Sequence, residues 1–368
     1  MVPTAQVGGH HHPRRRTEEG GGGMSSATAT PARPAGAALA ARVGRSVTSN
    51  PSVLPTIASV VIFVGMIVYG EVAYGRIVQA STLSNLLINN AHLIVLAVAL
   101  TFVIITGGID LSVGSIIAFS SVAGVMLVNA GWNPFAVAVT MIVIGALFGL
   151  VSGVLIRYFN VQPFIATLAM MFLGRGLASL LSTQPERLPE DSALRWIGEK
   201  IKIVDGPKVN DLTVTPAVIV AVIVVLAAFF VLHRTRTGRT VYAIGGSENS
   251  ALLMGLPVHR TKVLVYVISG ALAGLAAVLY TARLGTAQNI TGIGWELDAI
   301  AAAVIGGTVL TGAYGYVLGS VVGALVLGLM TVLITRDGGI PPEMTTIITG
   351  GILLVFVLLQ RAVTRKKE

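Results

Sequence analysis

Residues Arg234–Lys262 read RTRTGRTVYAIGGSENSALLMGLPVHRTK. Long apolar runs stand on both sides of them, and the contrast decides the fold. Inside this basic stretch the pattern is that of a short capped helix. Gly245-Gly246 interrupts the chain, Ser247 suits the N-cap, and Glu248 and Ser250 fall in the first turn, where the helix dipole favours an anion. Ala251, Leu252, Leu253 and Met254 supply about two turns of apolar surface before Gly255 and Pro257 end the helix. A short helix with apolar residues, hung between hydrophobic spans, is expected to be gripped by a partner. The plainer alternative is a solvated connector.

The flanking runs set the class. The chain has 368 residues, 54% hydrophobic and 11% charged, against about 25% charged in a soluble domain. Continuous apolar runs of about 20 residues indicate an all-α polytopic membrane protein, and their lack of alternation argues against a β-barrel. There is no cysteine, hence no disulfide and no thiolate metal site. In such a chain the net charge of +9 is a question of sidedness and gives no sign of a nucleic-acid partner.

Spans are expected at Leu54–Tyr69, Asn89–Thr106, Leu111–Val128, Phe135–Ile156, Phe164–Leu181, Thr215–Leu232, Val263–Tyr280, Tyr316–Ile334 and Thr345–Leu359. A further one, around Ala299–Ile305, is short, with Glu296 and Asp298 before it and Gly306-Gly307 after it, so it is expected to be broken or re-entrant. The total is about ten, with nine the alternative. These spans form one domain, residues 54–361. Residues 1–53, rich in Gly, Ala, Arg and Pro, are expected to be a disordered tail, and residues 362–368 a short basic one. His10–His12 in the first tail are read as incidental, and residues 1–23 as a doubtful extension ahead of Met24.

Charge then orients the bundle. With ten spans both termini and the loop 234–262 share a side, and Arg14–Arg16, Arg33, Arg42, Arg45, Arg157 and the basic C-terminus lie there too. The other side receives the segment 182–214, with more acidic than basic residues. The positive-inside rule places both termini in the cytoplasm and the protein in the plasma membrane.

No enzyme constellation is present. The chain has no Gly-Lys pair and so no Walker A loop, and neither H-E-x-x-H nor G-x-S-x-G occurs. Any use of ATP must come from another polypeptide, and no cofactor is expected. Asp110, after Gly107-Gly108, fits an N-cap whose carboxylate accepts N–H bonds from residues 111–113, or else an ion relay. Glu296 and Asp298 could meet a substrate's hydroxyls or cap a helix. Arg175, inside the fifth span, is expected to face other helices or a wet cavity. Asn89, Asn90 and His92 open the second span as interhelical hydrogen-bonders or pathway residues, with His92 structural rather than a ligand. Glycines four apart, at Gly145, Gly149 and Gly153, at Gly270 and Gly274, and at Gly315, Gly319 and Gly323, indicate close helix packing. Gly107–Ser112 also echoes Gly306–Thr311, with Gly124 level with Gly323, as in the duplicated halves of transporters.

Val103–Leu127, VIITGGIDLSVGSIIAFSSVAGVML, carries Gly107, Gly108, Asp110, Ser112 and Gly114 and resembles the signature of permease subunits of ribose-type sugar ABC importers. Gly238–Pro257 resembles that family's ATPase-docking loop, and Glu296–Leu329, with Gly306 and Gly307, its C-terminal half. VYAIGGSENSALLMG and GWELDAIAAAVIGGT are most similar to galactofuranose permeases. The resemblance covers about Pro55–Arg361. It implies a type II importer-like bundle and a second permease, the same or a sister chain. It also implies an ABC ATPase subunit gripping Gly246–Pro257 and an extracytoplasmic sugar-binding protein meeting segment 182–214. The cargo would be a galactofuranose-, ribose- or xylose-like sugar, with Asn90, His92, Arg175, Glu296 and Asp298 as candidate pathway or gate residues. Three rivals remain at this point: an ion-coupled secondary transporter, a branched-chain amino-acid ABC permease, and a membrane-embedded interaction protein.

Overall fold

A computed structural model describes residues 53–204, 212–339, 341 and 344–365, so all of the expected N-terminal tail but Val53, which opens a helix, lies outside it. Twelve α-helices are found among these residues. In chain order they are α1 (Val53–Tyr74), α2 (Ala80–Ile105), α3 (Val113–Asn129), α4 (Pro134–Tyr158), α5 (Pro163–Leu181) and α6 (Pro216–Arg234). There follow α7 (Arg236–Gly246), α8 (Glu248–Leu253), α9 (Val258–Leu284), α10 (Trp295–Ile305), α11 (Val317–Asp337) and α12 (Met344–Arg365). α4, α5 and α6 each begin with proline in the first turn, where its missing N–H costs nothing.

Among the described residues, seven helices are long and apolar enough to cross a membrane: α1, α2, α4, α5, α6, α9 and α11. α3 is a shorter apolar helix, and α12 carries a shorter apolar stretch, Met344–Leu358. α10, with 11 residues, reaches only about 16 Å, half of a bilayer core. The expectation of about ten spans therefore resolves into seven long apolar helices, two helices with shorter apolar stretches and one half-span. α12 continues to Arg365, past the expected boundary at Arg361.

α2 is the central post. Its apolar window is 83% buried, against 11% for α1, and every residue from Leu93 to Ile105 is buried. A helix apolar on all sides has to be enclosed by its neighbours. The second span begins at Ala80, not Asn89, because the polar residues Ser81, Thr82, Ser84 and Asn85 hide its first turns from a hydropathy reading.

The spaced glycines close the bundle backbone to backbone. A Cβ on Gly145 would collide with Gly270 O, one on Gly149 with Tyr266 O, and one on Gly319 with Gly306 O. α4 thus lies flush on α9, and α10 on α11. Segment 182–204 is folded onto one end of the bundle rather than hanging free. A 3₁₀ turn (Ala193–Gly198) sets Gly198 against the backbone of Ala282 and Arg283. Two small antiparallel ribbons join it, β1 (Glu186–Arg187) with β4 (Thr286–Ala287) and β2 (Ile201–Val204) with β3 (Leu212–Val214). We call this the capped end; α7 and α8 occupy the other.

Candidate functional site

At the α7 end the chain turns twice. Thr235 Oγ1 accepts from Gly238 N at 3.3 Å and starts α7, a helix the sequence reading missed. Its apolar positions, Gly238, Val241 and Ile244, are buried, and its arginines are not. Ser247 is the N-cap of α8 as expected, accepting from Ser250 N at 3.3 Å. Gly255 takes φ +72, and Leu256 N donates to Ala251 O at 3.1 Å, closing α8 with a glycine-dependent cap. Glu248 in the first turn pairs with Lys262 Nζ at 2.6 Å, tying α8 to α9. The apolar surface is not shared as expected: Ala251 is buried with Ile244 and Val258. Leu252 is 38% exposed, Leu253 89% and Met254 66%. The free apolar tip is therefore Leu253 and Met254, held by Gly255 and Pro257 behind it. Gly246 has open space around its Cα.

α7 does not hang from the bundle. A Cβ on Gly245 would strike Ile105 O and Ala313 N, and Tyr242 OH donates to Gly315 O at 2.7 Å. Burial, then the nearby Tyr316, pushes the Tyr242 hydroxyl up to about 12, so it stays protonated and able to donate. What α7 touches flanks the sequence echo: Ile105 just before its first copy, Ala313 and Gly315 just after its second. α2 ends with Gly107 at φ +76 and Gly108 N bonded to Val103 O at 3.1 Å; α10 ends with Gly307 at φ +97 and Thr308 N bonded to Ala303 O at 2.9 Å. The same closure thus recurs, with Gly107 matching Gly307 rather than Gly306. The two turns meet, since Ala313 N donates to Ile105 O at 3.0 Å. Gly124 and Gly323 are not equivalent, for Gly124 faces Met141 and Gly323 faces Ala302.

Asp110 is fully buried beside this junction. Its Oδ1 accepts from Ser112 N (2.9 Å) and Ser112 Oγ (2.6 Å), and its Oδ2 from Ser269 Oγ (2.7 Å). The carboxylate does accept an N–H from within residues 111–113. However, α3 starts at Val113 with Ser112 in the N-cap position, so Asp110 staples the turn to α9 instead of capping the helix.

The second group lies inside the bundle. His92, about half-way along α2, packs on Trp295 (4.5 Å between ring centres) and Tyr280 (5.1 Å). Tyr280 and Trp295 meet edge to face at 4.7 Å. α10 therefore begins near mid-depth, and the connection 285–294 dips in from the capped end to reach it. Arg175 holds that connection: its Nη1 donates to Asn289 O at 3.1 Å and to Thr291 O at 2.5 Å. Glu296 Oε2 is buried with no hydrogen-bond partner among the described residues. It lies against Gly114, where a Cβ would collide with it and with Gly292 O. Gly294 is the N-cap of α10, with no side-chain cap. Glu296 and Asp298 therefore do not cap it, and Asp298 sits half-buried in the first turn. Asn89 is exposed. Asn90 donates to Leu86 O at 2.8 Å and fills the space over Gly328, so it does not open a span. A cleft of about 290 Å³ opens between the end of α9 and the connection, lined by Tyr280, Gln288, Thr291 and Trp295 among others. Sequence alone flagged His92, Arg175, Glu296 and Gly114 here but missed Tyr280, Gln288 and Trp295. Nothing in the local pattern marks them, because the half-span is what brings them together.

The comparisons point one way. The family model described as branched-chain amino acid transport system / permease component matches residues 82–357. The fructose import permease protein FruG of Bifidobacterium longum is 54% identical over 84% of this chain and 91% of its own length. The inner membrane ABC transporter permease protein YjfF of Escherichia coli K12 is 37% identical over 84% and 93%. The ribose import permease protein RbsC of the same strain is 40% identical over 68% and 76%. No solved structure matches the chain significantly. These relatives are named as transport components rather than catalysts, and the chain belongs to the permease family of ribose-type sugar ABC importers.

Proposed function

We propose that this chain, paired with a copy of itself or a sister permease, forms the membrane conduit of an ATP-driven importer for a monosaccharide. Both termini and the α7–α8 end face the cytoplasm, in accord with the basic residues there. Residues 1–52 and 366–368 lie on that side. An ABC ATPase subunit seats α8 in a surface groove through Leu253 and Met254. An extracytoplasmic sugar-binding protein meets the capped end, built from segment 182–214. The observation that carries this reading is the exposed Leu253–Met254 tip on a helix fixed at both ends, by Ser247 and by Gly255. Two apolar side chains on a rigid mount suit a socket better than solvent.

Transport follows as alternating access. ATP binding draws two ATPase subunits together, α8 moves with them, and α7 carries the displacement into the paired turns after α2 and α10. ATP's differential affinity for the two states supplies the shift. D-Fructose is the first sugar to test, because FruG is named for it and is 54% identical. Galactofuranose, ribose and xylose follow. The family description also mentions branched-chain amino acids, so leucine belongs in the same panel. The test is reconstitution with a cognate ABC ATPase and sugar-binding protein. ATP-dependent uptake of one labelled sugar and none of leucine is expected. Sodium- or proton-driven uptake without an ATPase would contradict the reading.

A further inference from the structure

We infer that the cleft between the end of α9 and the connection 285–294 is a resting site for the monosaccharide on its way through, with Trp295 and Tyr280 as its platform and Gln288 as a polar anchor. The inference rests on the import reading. At about 290 Å³ the cleft suits a single sugar ring and little more. Its lining joins two aromatic rings and the aliphatic side chains of Leu284, Ile290 and Ile293 to the amide of Gln288 and the hydroxyls of Thr291 and Thr286, the last of which donates to Glu186 O. That combination matches a molecule with C–H faces and hydroxyl edges. No charged side chain lines it. The nearby guanidinium of Arg175 is turned to the carbonyls of Asn289 and Thr291, so it shapes the cleft without placing its charge on the solute. The wall is formed by a bend that Gly292 (φ +70) and Gly294 (φ +83) permit. A second crevice, of about 120 Å³ between α2 and α6, is lined by Leu87, Ile94, Val222 and other apolar side chains alone and has nothing to offer a hydroxyl.

The chain has three tryptophans, and Trp132 and Trp196 are exposed. W132F with W196F leaves Trp295 as the sole reporter in the full-length protein. Titration of the purified double variant with D-fructose, galactofuranose and D-ribose, into the high millimolar range, should give a saturable change in emission for the transported sugar. Leucine should give none. A flat titration with the sugar the reconstituted complex transports, or a response to leucine instead, overturns the site. In the reconstituted complex, Q288A should raise KM for the sugar about five-fold, the loss of one hydrogen bond, with kcat and ATPase docking unchanged. Trp295→Phe should keep most uptake and Trp295→Ala lose it. An unchanged KM in Q288A together with full uptake by Trp295→Ala would also overturn it. Sugar uptake by the unsubstituted complex alongside a flat titration removes the cleft alone; absence of sugar uptake removes the import reading beneath it.

Discussion

The α7 end and the Arg175–Trp295 centre are built on opposite principles. At the α7 end the contacts are backbone on backbone: Gly245 against Ile105 and Ala313, with the Tyr242 hydroxyl on Gly315 O. At the centre they are long side chains reaching across space: Arg175 to two carbonyls, Glu296 beside Gly114, and aromatic rings around a cleft. Flush backbone contacts transmit a push because nothing between them can rotate away. Side chains at a cavity can rearrange, as a passage for solute requires. On the proposed reading, the difference assigns force to one region and selectivity to the other.

Substitutions should separate the two. Gly245→Leu has the largest expected effect, since the new side chain must displace the backbone at Ile105 and Ala313. We expect loss of monodisperse protein in detergent, and a well-folded variant would show that the junction yields. Arg175→Met comes next. It removes a charged donor from Asn289 O and Thr291 O, worth about 1.5–3 kcal/mol for each such bond. Uptake should fall at least ten-fold while sugar-independent ATP hydrolysis persists. Arg175→Lys should recover only part, because a lysine's flexible stem does not hold its ammonium where the planar guanidinium sits. Tyr242→Phe deletes one neutral hydrogen bond, about 1 kcal/mol. It should lower sugar moved per ATP a few-fold with sugar KM unchanged; a KM effect would blur the division proposed here. Smallest is Lys262→Met, which breaks a half-buried pair with Glu248. A decline in ATP-coupled uptake of less than about two-fold is expected, with reduced sensitivity to salt.

Much of this was legible in the residues. Five of the expected spans coincide with helices to within three residues at each end and three more to within six, because each is a continuous apolar run; the Ser247 cap and Gly255 stop are local signals that work locally. The failures share a cause, for each depends on contacts between distant segments. α7 is basic and short of apolar residues, and only its docking on Ile105 and Ala313 reveals the face that is buried. The start of α2 at Ala80 is hidden by polar residues, two of which bond to the capped end: Thr213 N donates to Ser84 Oγ and Lys200 Nζ to Asn85 Oδ1. Asp110 has the spacing of a cap, but Ser269, far along the chain, draws it into a staple. The echo was visible as sequence, yet its true register, Gly107 with Gly307, required the backbone angles.

The most direct test of the account is Leu253→Asp in the complex with its ATPase. Leu253 is 89% exposed, so the substitution leaves the bundle's packing untouched while placing a charge on the apolar tip. The account predicts normal expression and helical content, no sugar-stimulated ATP hydrolysis and no uptake. Stimulated hydrolysis and uptake at the level of the unsubstituted complex would contradict it, for α8 could not then be the point at which the motor takes hold.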